Sequence, residues 1–211
     1  MTPNQKSLAE NCWLTATKIK MAESKRNRNR KRKLKISSEV ELPKGVTADF
    51  DGQQLTIKGP KGEVQRIMGK QLTAKVEGSK IIFESGRDTK DNKSMLGSLT
   101  AHVKNIVRGV VENHNYTLKI CSGHFPMTVT VSDSKLHVKN FLGEKVSRVL
   151  ALKQGAAVKV DGALIHVSSA SKELAGQVSG DIEQLTRRPG FDNRVFQDGI
   201  YIINKDGKEL K

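Results

Sequence analysis

Strict alternation of apolar and polar residues begins at Val46 and predicts β-strands. Apolar residues occupy every second position from 46 to 50 and again from 55 to 57, on either side of Asp51-Gly52. Side chains alternate between the two faces of a strand, and Asp-Gly favours a tight turn. This stretch therefore predicts a β-hairpin with one apolar face.

The same pattern recurs in the second half of the chain, where alternation covers 127–131 and 136–138. A further pair of alternating runs surrounds Glu77-Gly78, and a similar pair surrounds Asp161-Gly162. Apolar residues three or four apart then predict one amphipathic helix in each half. They are Met95, Leu99, Val103 and Ile106 in the first half, and Leu174, Val178, Ile182 and Leu185 in the second. Three blocks in the same order indicate an internal duplication.

The repeat predicts an α+β fold of two tandem duplicated domains, each a small, mostly antiparallel sheet packed by one helix. We place the first domain at 36–115 and the second, RNA-binding domain at 116–211, preceded by an arm at 1–35. A last strand pair is predicted from Arg194 to Ile203, with Val195 and Ile200 facing the core.

The charge of the chain indicates what kind of partner it binds. The 211 residues include 37 Lys or Arg and 22 Asp or Glu, a formal net charge of +15 that favours a polyanionic partner such as nucleic acid. Aromatic residues make up 4% of the chain, which disfavours binding that depends on an aromatic platform for single strands. No apolar run is long enough for a membrane span or a signal peptide, so we expect a cytoplasmic protein without a membrane partner.

The arm at 1–35 has eleven Lys or Arg residues against Glu10 and Glu23. Such a segment cannot bury enough apolar surface to offset the entropy of ordering it, so we expect it to be disordered when free and to fold against RNA. A solubilising or mis-annotated leader is the alternative. Met21 precedes the basic run, and both Met1 and Met21 stay open as the initiator. Initiation at Met21 would leave 1–20 out of the mature protein. The predicted RNA contacts are Arg26, Arg28, Arg30, Lys31, Arg32 and Lys33.

Candidate chemistry is sparse. Cys121 and His124 are the one neighbouring Cys/His pair, and two ligands without a second pair do not complete a tetrahedral metal site. The Gly-rich segment KGPKGE (58–63) joins two predicted strands, so it has no helix N-terminus to hold a phosphate and is interpreted as a turn. We expect no catalytic residue, no metal and no cofactor, and hence no enzyme.

Four segments nevertheless resemble one family: KGPKGE (58–63), HFP (124–126), NFLGEK (140–145) and RVFQDGIYI (194–202). Their order and spacing are similar to those of the large-subunit ribosomal proteins of the L-six family, called L-nine in eukaryotes, in its archaeal and eukaryotic branch. The resemblance covers about 36–211. It implies two similar α+β domains, no catalytic role, and binding to large-subunit rRNA near the sarcin-ricin region and the stalk base, where translational GTPases dock. The basic arm and Arg187-Arg188-Pro189 depart from the family pattern.

The resemblance also implies that the protein is a monomer within the ribosome, beside other large-subunit proteins at the stalk base. Basic side chains in the second domain are the expected phosphate contacts, with two hydrogen-bonding neighbours. They are Lys139, Lys145, Arg148, Arg187, Arg188 and Arg194, together with Asn140 and His124. We expect the three last arginines to form one patch, although Arg187 and Arg188 could instead serve the helix dipole at its C-terminus.

Two functions stay open at this point. The first is a structural ribosomal protein that neutralises phosphates and reads RNA shape rather than sequence. The alternative is a free-standing RNA-binding regulator or chaperone, for which the arm alone would suffice.

Overall fold

The structure is a computed structural model that describes residues 36–69, 72–86, 89–123, 125–192 and 194–210. The arm at 1–35 and His124 lie outside these ranges.

The first domain consists of two antiparallel three-stranded sheets and one helix. One sheet has the strand order β1-β6-β5 and the other β2-β3-β4. The elements are β1 (Ile36–Glu41), β2 (Thr47–Asp51), β3 (Gln54–Gly59), β4 (Gly62–Ile67), β5 (Leu72–Glu77), β6 (Lys80–Ser85) and α1 (Lys90–Val111).

The second domain repeats this arrangement and extends it. Its sheets have the orders β10-β9-β8 and β11-β12-β7-β13-β14, so β7 takes the place of β1, and β13 adds to its free edge. The elements are β7 (His114–Cys121), β8 (Thr128–Ser132), β9 (Lys135–Lys139), a 3₁₀ turn (Phe141–Gly143), β10 (Arg148–Ala151), β11 (Ala157–Asp161), β12 (Leu164–Ser169), α2 (Lys172–Leu185), β13 (Gly199–Lys205) and β14 (Lys208–Glu209). The predicted α+β fold and the duplication are confirmed.

Both helices begin in the same way and cover their sheets in the same way. The Thr89 and Ser171 hydroxyls each accept a hydrogen bond from the backbone N–H three residues further on, at 3.2 and 3.4 Å, which satisfies one of the free N–H groups of the first turn. The apolar stripes then pack into two separate cores, each closed by fully buried strand residues such as Phe83 and Ile165.

Two details of the predicted apolar faces are wrong. Met95 is 39% exposed, and its neighbour Leu96 is buried instead, so the stripe of α1 begins one residue later than predicted. Val195 is 73% exposed and lies outside any strand, because Val195 and Phe196 are hydrogen-bonded back to Asp192 before β13 begins at Gly199. The Asp192 carbonyl accepts hydrogen bonds from the backbone N–H groups of Val195 and Phe196, at 3.1 and 2.9 Å.

The two domains meet along the ends of their helices. His114, the first residue of β7, is fully buried, and its Nε2 lies 3.0 Å from the carbonyl oxygen of Asn105 in α1. Its Nδ1 lies 3.0 Å from Oδ1 of Asp206, off the line of an ideal hydrogen bond. The other carboxylate oxygen of Asp206 lies 3.1 Å from Nζ of Lys172. The Asp206 carboxylate, at the turn after β13, thus contacts both His114 and Lys172 at the junction.

Acid should weaken this junction. Burial raises the pKa of Asp206, but the contacts with His114 and Lys172 outweigh burial and hold the pKa below its ordinary value. A carboxyl whose pKa is depressed in the folded state stabilises the protein above its unfolded pKa, and this contribution is lost as pH falls toward the folded pKa. We therefore expect the midpoint of thermal unfolding to fall as the pH is lowered from about 5 to about 3.

The comparison with Asp206→Asn isolates this residue, because the variant cannot titrate there. Its unfolding midpoint should depend less steeply on pH than that of the native chain over the same interval. Asp133→Asn, at the exposed β8–β9 turn, is the matched control and should keep the native slope. Equal slopes for all three proteins would show that Asp206 contributes nothing to acid sensitivity.

Candidate nucleic-acid interface

The corner between β9 and β10 presents several of the predicted RNA contacts. Lys139 ends β9 and is exposed, and Lys145 is exposed six residues further on. Asn140 between them adopts a left-handed backbone (φ 59°), which asparagine tolerates better than most residues. Its Nδ2 donates to the carbonyl of Pro126 at 3.0 Å, which ties the corner to the segment after β7. Two lysines therefore project from a corner of defined shape.

Arg148, also predicted to contact RNA, makes several contacts within the protein. Its guanidinium donates to both carboxylate oxygens of Glu144, at 2.6 and 2.9 Å, and to the carbonyl of Leu185 at 2.7 Å. The same group lies 4.4 Å from the ring centroid of buried Phe141. The hydrogen bond from Arg148 lowers the pKa of Glu144, against the effect of burial, and the charge of Arg188 lowers it further. Arg148 thus joins the corner to the end of α2.

The end of α2 carries Arg187 and Arg188, and both are exposed. The Thr186 hydroxyl donates to the Glu183 carbonyl at 3.1 Å and accepts from the Ile200 N–H at 3.0 Å, so the helix end is fastened to β13. The Arg188 guanidinium lies 4.1 Å from the ring centroid of Phe191, an arrangement favoured by the ring quadrupole. The arginines are thus exposed on a rigid base.

Arg194 is hydrogen-bonded to Asp192 and shares no contact with the other two arginines in the described residues. Its backbone N–H donates to Oδ1 of Asp192 at 2.9 Å, and its Nε lies 3.3 Å from the same oxygen. The side chain is 91% exposed. The structure brings Arg187 and Arg188 together around one cleft, whereas Arg194 projects from the adjoining turn.

This cleft has a volume of about 210 Å³ and lies between the β9–β10 corner, the end of α2 and the start of β13. Its lining combines cationic, acidic and aromatic side chains. They are Leu142, Glu183, Gln184, Thr186, Arg187, Arg188, Phe191, Phe196, Asp198, Ile200 and Tyr201.

The aromatic members of this lining were missed at the sequence level, because aromatic residues are scarce in the chain as a whole. Phe191, Phe196 and Tyr201 are 40%, 47% and 38% exposed. The rings of Phe191 and Phe196 meet edge to face, with centroids 5.1 Å apart. The available signal was local: two phenylalanines flank the turn directly after an Arg-Arg pair.

The Gly-rich segment at 58–63 serves the fold. A Cβ on Gly59 would lie 2.0 Å from Cγ1 of Val110, and the Lys61 N–H donates to the carbonyl of Val110 at 3.0 Å. Gly62 has a φ of 151°, which L side chains rarely adopt. The segment is therefore a turn packed on the end of α1.

Other chemistry is limited in the described residues. They contain no group of three or more His, Cys, Asp or Glu side chains placed to hold a metal ion. The Cys121 thiol is free and half-buried, and its predicted neighbour His124 lies outside the described residues, as do the six basic residues predicted in the arm. No helix in those ranges is long and apolar enough to cross a membrane.

A duplicated α+β fold with a large basic excess and exposed cations on one corner is typical of a structural nucleic-acid-binding protein. Comparison with known proteins narrows this class. The family model of ribosomal protein L6 matches residues 42–113. The large ribosomal subunit protein uL6 of Methanococcus vannielii is 38% identical over 83% of this chain and 97% of its own length. That of Natronomonas pharaonis is 40% identical over 78% of this chain and 94% of its own length.

The chain therefore belongs to the uL6 family of large-subunit ribosomal proteins, as the resemblance of its motifs implied. It is a structural constituent of the large ribosomal subunit, works in translation in the cytoplasm, and is not an enzyme.

Proposed function

We propose that the second domain anchors the protein to large-subunit rRNA near the sarcin-ricin region and the stalk base, beside neighbouring ribosomal proteins. The observation that carries the proposal is the pair of exposed arginines, Arg187 and Arg188, on the lining of one cleft. The β9–β10 corner, whose Leu142 also lines this cleft, adds the exposed Lys139 and Lys145. The RNA region itself is taken from the family resemblance.

The mechanism is electrostatic positioning. Cations that contact phosphates release condensed counterions, so binding weakens steeply as salt rises, and the fixed spacing of the cations selects an RNA shape. The hydrogen bonds of Arg148, Asn140 and Thr186 hold the corner and the helix end in place, which reduces the entropy lost on binding. Arg148 thus supports the surface, and Arg187 and Arg188 supply the contacts to phosphate.

The test uses the double variant Arg187→Lys/Arg188→Lys. Arginine can grip a phosphate with two parallel hydrogen bonds, whereas lysine acts as a point charge. We expect affinity for large-subunit rRNA to fall about tenfold at constant salt, roughly 1.4 kcal/mol. Because the charge is kept, the salt dependence should keep its slope. The unfolding midpoint without RNA should stay at the native value.

Retention in large subunits under rising salt is the second readout. The double variant should leave the subunit at lower salt than the native protein, and Arg194→Lys should have a smaller effect. Arg108→Lys, an exposed arginine of the first domain, is the control and should be retained like the native protein. Lower thermal stability with unchanged retention would show that these arginines serve the fold and not RNA.

The basic arm is proposed to add a second, purely electrostatic contribution to RNA binding. We propose that 22–35 bind RNA through charge alone, because most of these residues are Lys or Arg and few are apolar. Deleting the arm should weaken rRNA binding and reduce the slope of log affinity against log salt by roughly 0.7 to 0.9 per lost phosphate contact. An unchanged slope would mean that the arm does not touch RNA.

A further inference from the structure

The cleft beside α2 has an interior that phosphate anchoring does not explain. Arg187 and Arg188 are exposed where they line it, but the half-buried Glu183 and Asp198 line it too. A phosphate placed inside would meet negative charge, so the interior suits a neutral group, and the phosphates belong at the rim.

The aromatic rings indicate the shape of that group. Phe191, Phe196 and Tyr201 are each more than one third exposed around the same cleft, although aromatic residues make up 4% of the chain. Clustered exposed apolar surface commonly marks an interaction site. Flat rings beside a guanidinium are the surfaces on which proteins stack unpaired nucleobases. A volume of about 210 Å³ suits one planar heterocycle.

The carboxylates indicate which base would be preferred. A carboxylate accepts hydrogen bonds and cannot donate them when ionised. Guanine presents two adjacent donors on its Watson–Crick edge, the N1–H and the 2-amino group, which match the two oxygens of one carboxylate. Adenine, cytosine and uracil each present a single donor group on that edge. Oδ1 of Asp198 already accepts from the backbone N–H of Gly123, which makes Glu183 the better candidate.

Tyr201 supports this arrangement. Burial is the main cause that raises the pKa of its hydroxyl above the ordinary value, and the negative charges of Asp198 and Glu183 add to it. The hydroxyl therefore keeps its proton at neutral pH and can donate a hydrogen bond to an acceptor atom of the bound base or its ribose.

We propose that this cleft receives one unpaired guanine of the rRNA, stacked on Phe196, with its Watson–Crick edge facing Glu183 and its flanking phosphates held by Arg187 and Arg188. The Phe191 ring, nearly perpendicular to that of Phe196 and covered by Arg188, would bound the base at its edge. The proposal rests on the function proposed above, since it adds a base contact to the phosphate contacts of the same surface.

The test uses the full chain and short RNA hairpins that carry a single bulged G, A, C or U, with a fully paired hairpin for comparison. Fluorescence anisotropy at one fixed salt concentration gives each affinity. The native protein should bind the G-bulge hairpin about tenfold more tightly than the paired hairpin and several-fold more tightly than the other bulges.

Two variants separate the stacking of the base on an aromatic ring from the recognition of its Watson–Crick edge. Phe196→Leu keeps an apolar side chain but removes the ring, and should lower affinity for the G bulge about fivefold while leaving the paired hairpin unchanged. Glu183→Gln should remove the preference for G over A with the ring contacts intact. Phe50→Leu in the first domain and Glu209→Gln on β14 are the matched controls and should behave like the native protein.

The outcomes distinguish this proposal from the one on which it rests. Arg187→Lys/Arg188→Lys should weaken binding of all hairpins by the same factor; if it does not, the phosphate-anchoring proposal fails. If that variant behaves as expected but no bulged base is preferred, only the guanine site is wrong. Equal affinity of Phe196→Leu and the native protein for every hairpin would also overturn the guanine site and leave the aromatic rings to a protein partner.

Discussion

Gly109→Ala should lower the unfolding midpoint by roughly 10 °C, corresponding to about 3 kcal/mol. Gly109 lies in the last turn of α1, where the second domain meets the helix. A Cβ there would lie 2.0 Å from the carbonyl oxygen of Ala170 and 2.7 Å from Cδ2 of His114. Both atoms are held by the junction, one as backbone and one as a fully buried ring. The added methyl group therefore has to separate the domains.

Gly97→Ala in the same helix is the matched control. Gly97 is exposed, and a Cβ there meets no heavy atom within 4 Å. Since alanine is the better helix former, this variant should gain about 0.5 to 1 kcal/mol. Thermal unfolding followed by circular dichroism measures both changes. If Gly109→Ala leaves the midpoint unchanged or raises it, the close approach of α1 to the second domain does not constrain the fold.

Arg148→Lys should destabilise the free protein by about 1.5 kcal/mol and lower its unfolding midpoint by roughly 5 °C. Lysine cannot bond both oxygens of Glu144, reach the carbonyl of Leu185 and cover the ring of Phe141 at once. The Arg148 side chain is 24% exposed, which reduces screening by water and makes the loss larger than for a surface ion pair.

This result would show that Arg148, unlike the other arginines of the second domain, stabilises the free protein. Arg194→Lys is the control, because its side chain is 91% exposed and its one ion pair is with nearby Asp192. That variant should unfold at the native midpoint. A stable Arg148→Lys protein that binds rRNA weakly would return Arg148 to the predicted set of RNA contacts.

The local pattern of apolar and polar residues was sufficient to predict the duplication and the fold class. Alternation, turn dipeptides and the helical stripes are all encoded within a few residues, and each block occurs twice in the same order. The first strands of each domain were harder to detect. Strand β1 has the sequence ISSEVE and fully buries one residue, Val40, so it shows little periodicity even though it pairs with β6 along its whole length.

The start of the last strand shows how local hydrogen bonds override a propensity. The segment RVF at 194–196 has strand-like composition, but the carbonyl and carboxylate of Asp192 accept three backbone hydrogen bonds and close a turn there. Asx turns of this kind compete with strand pairing. The prediction that three arginines form one patch depended on Val195 facing the core. Because Val195 is exposed, Arg194 does not line the cleft with Arg187 and Arg188.

The sequence by itself determined which residues carry charge, where the repeats lie, and which family the motifs resemble. Only the tertiary structure decided which of the cations are used inside the protein: Arg148 and Arg187 are both arginines of the second domain, but one is engaged by Glu144 and Leu185 and the other lines an open cleft. The physical reason is distance along the chain. Leu185 lies 37 residues from Arg148, and Tyr201 on β13 reaches the cleft beside Arg187 only when α2 and β13 pack together.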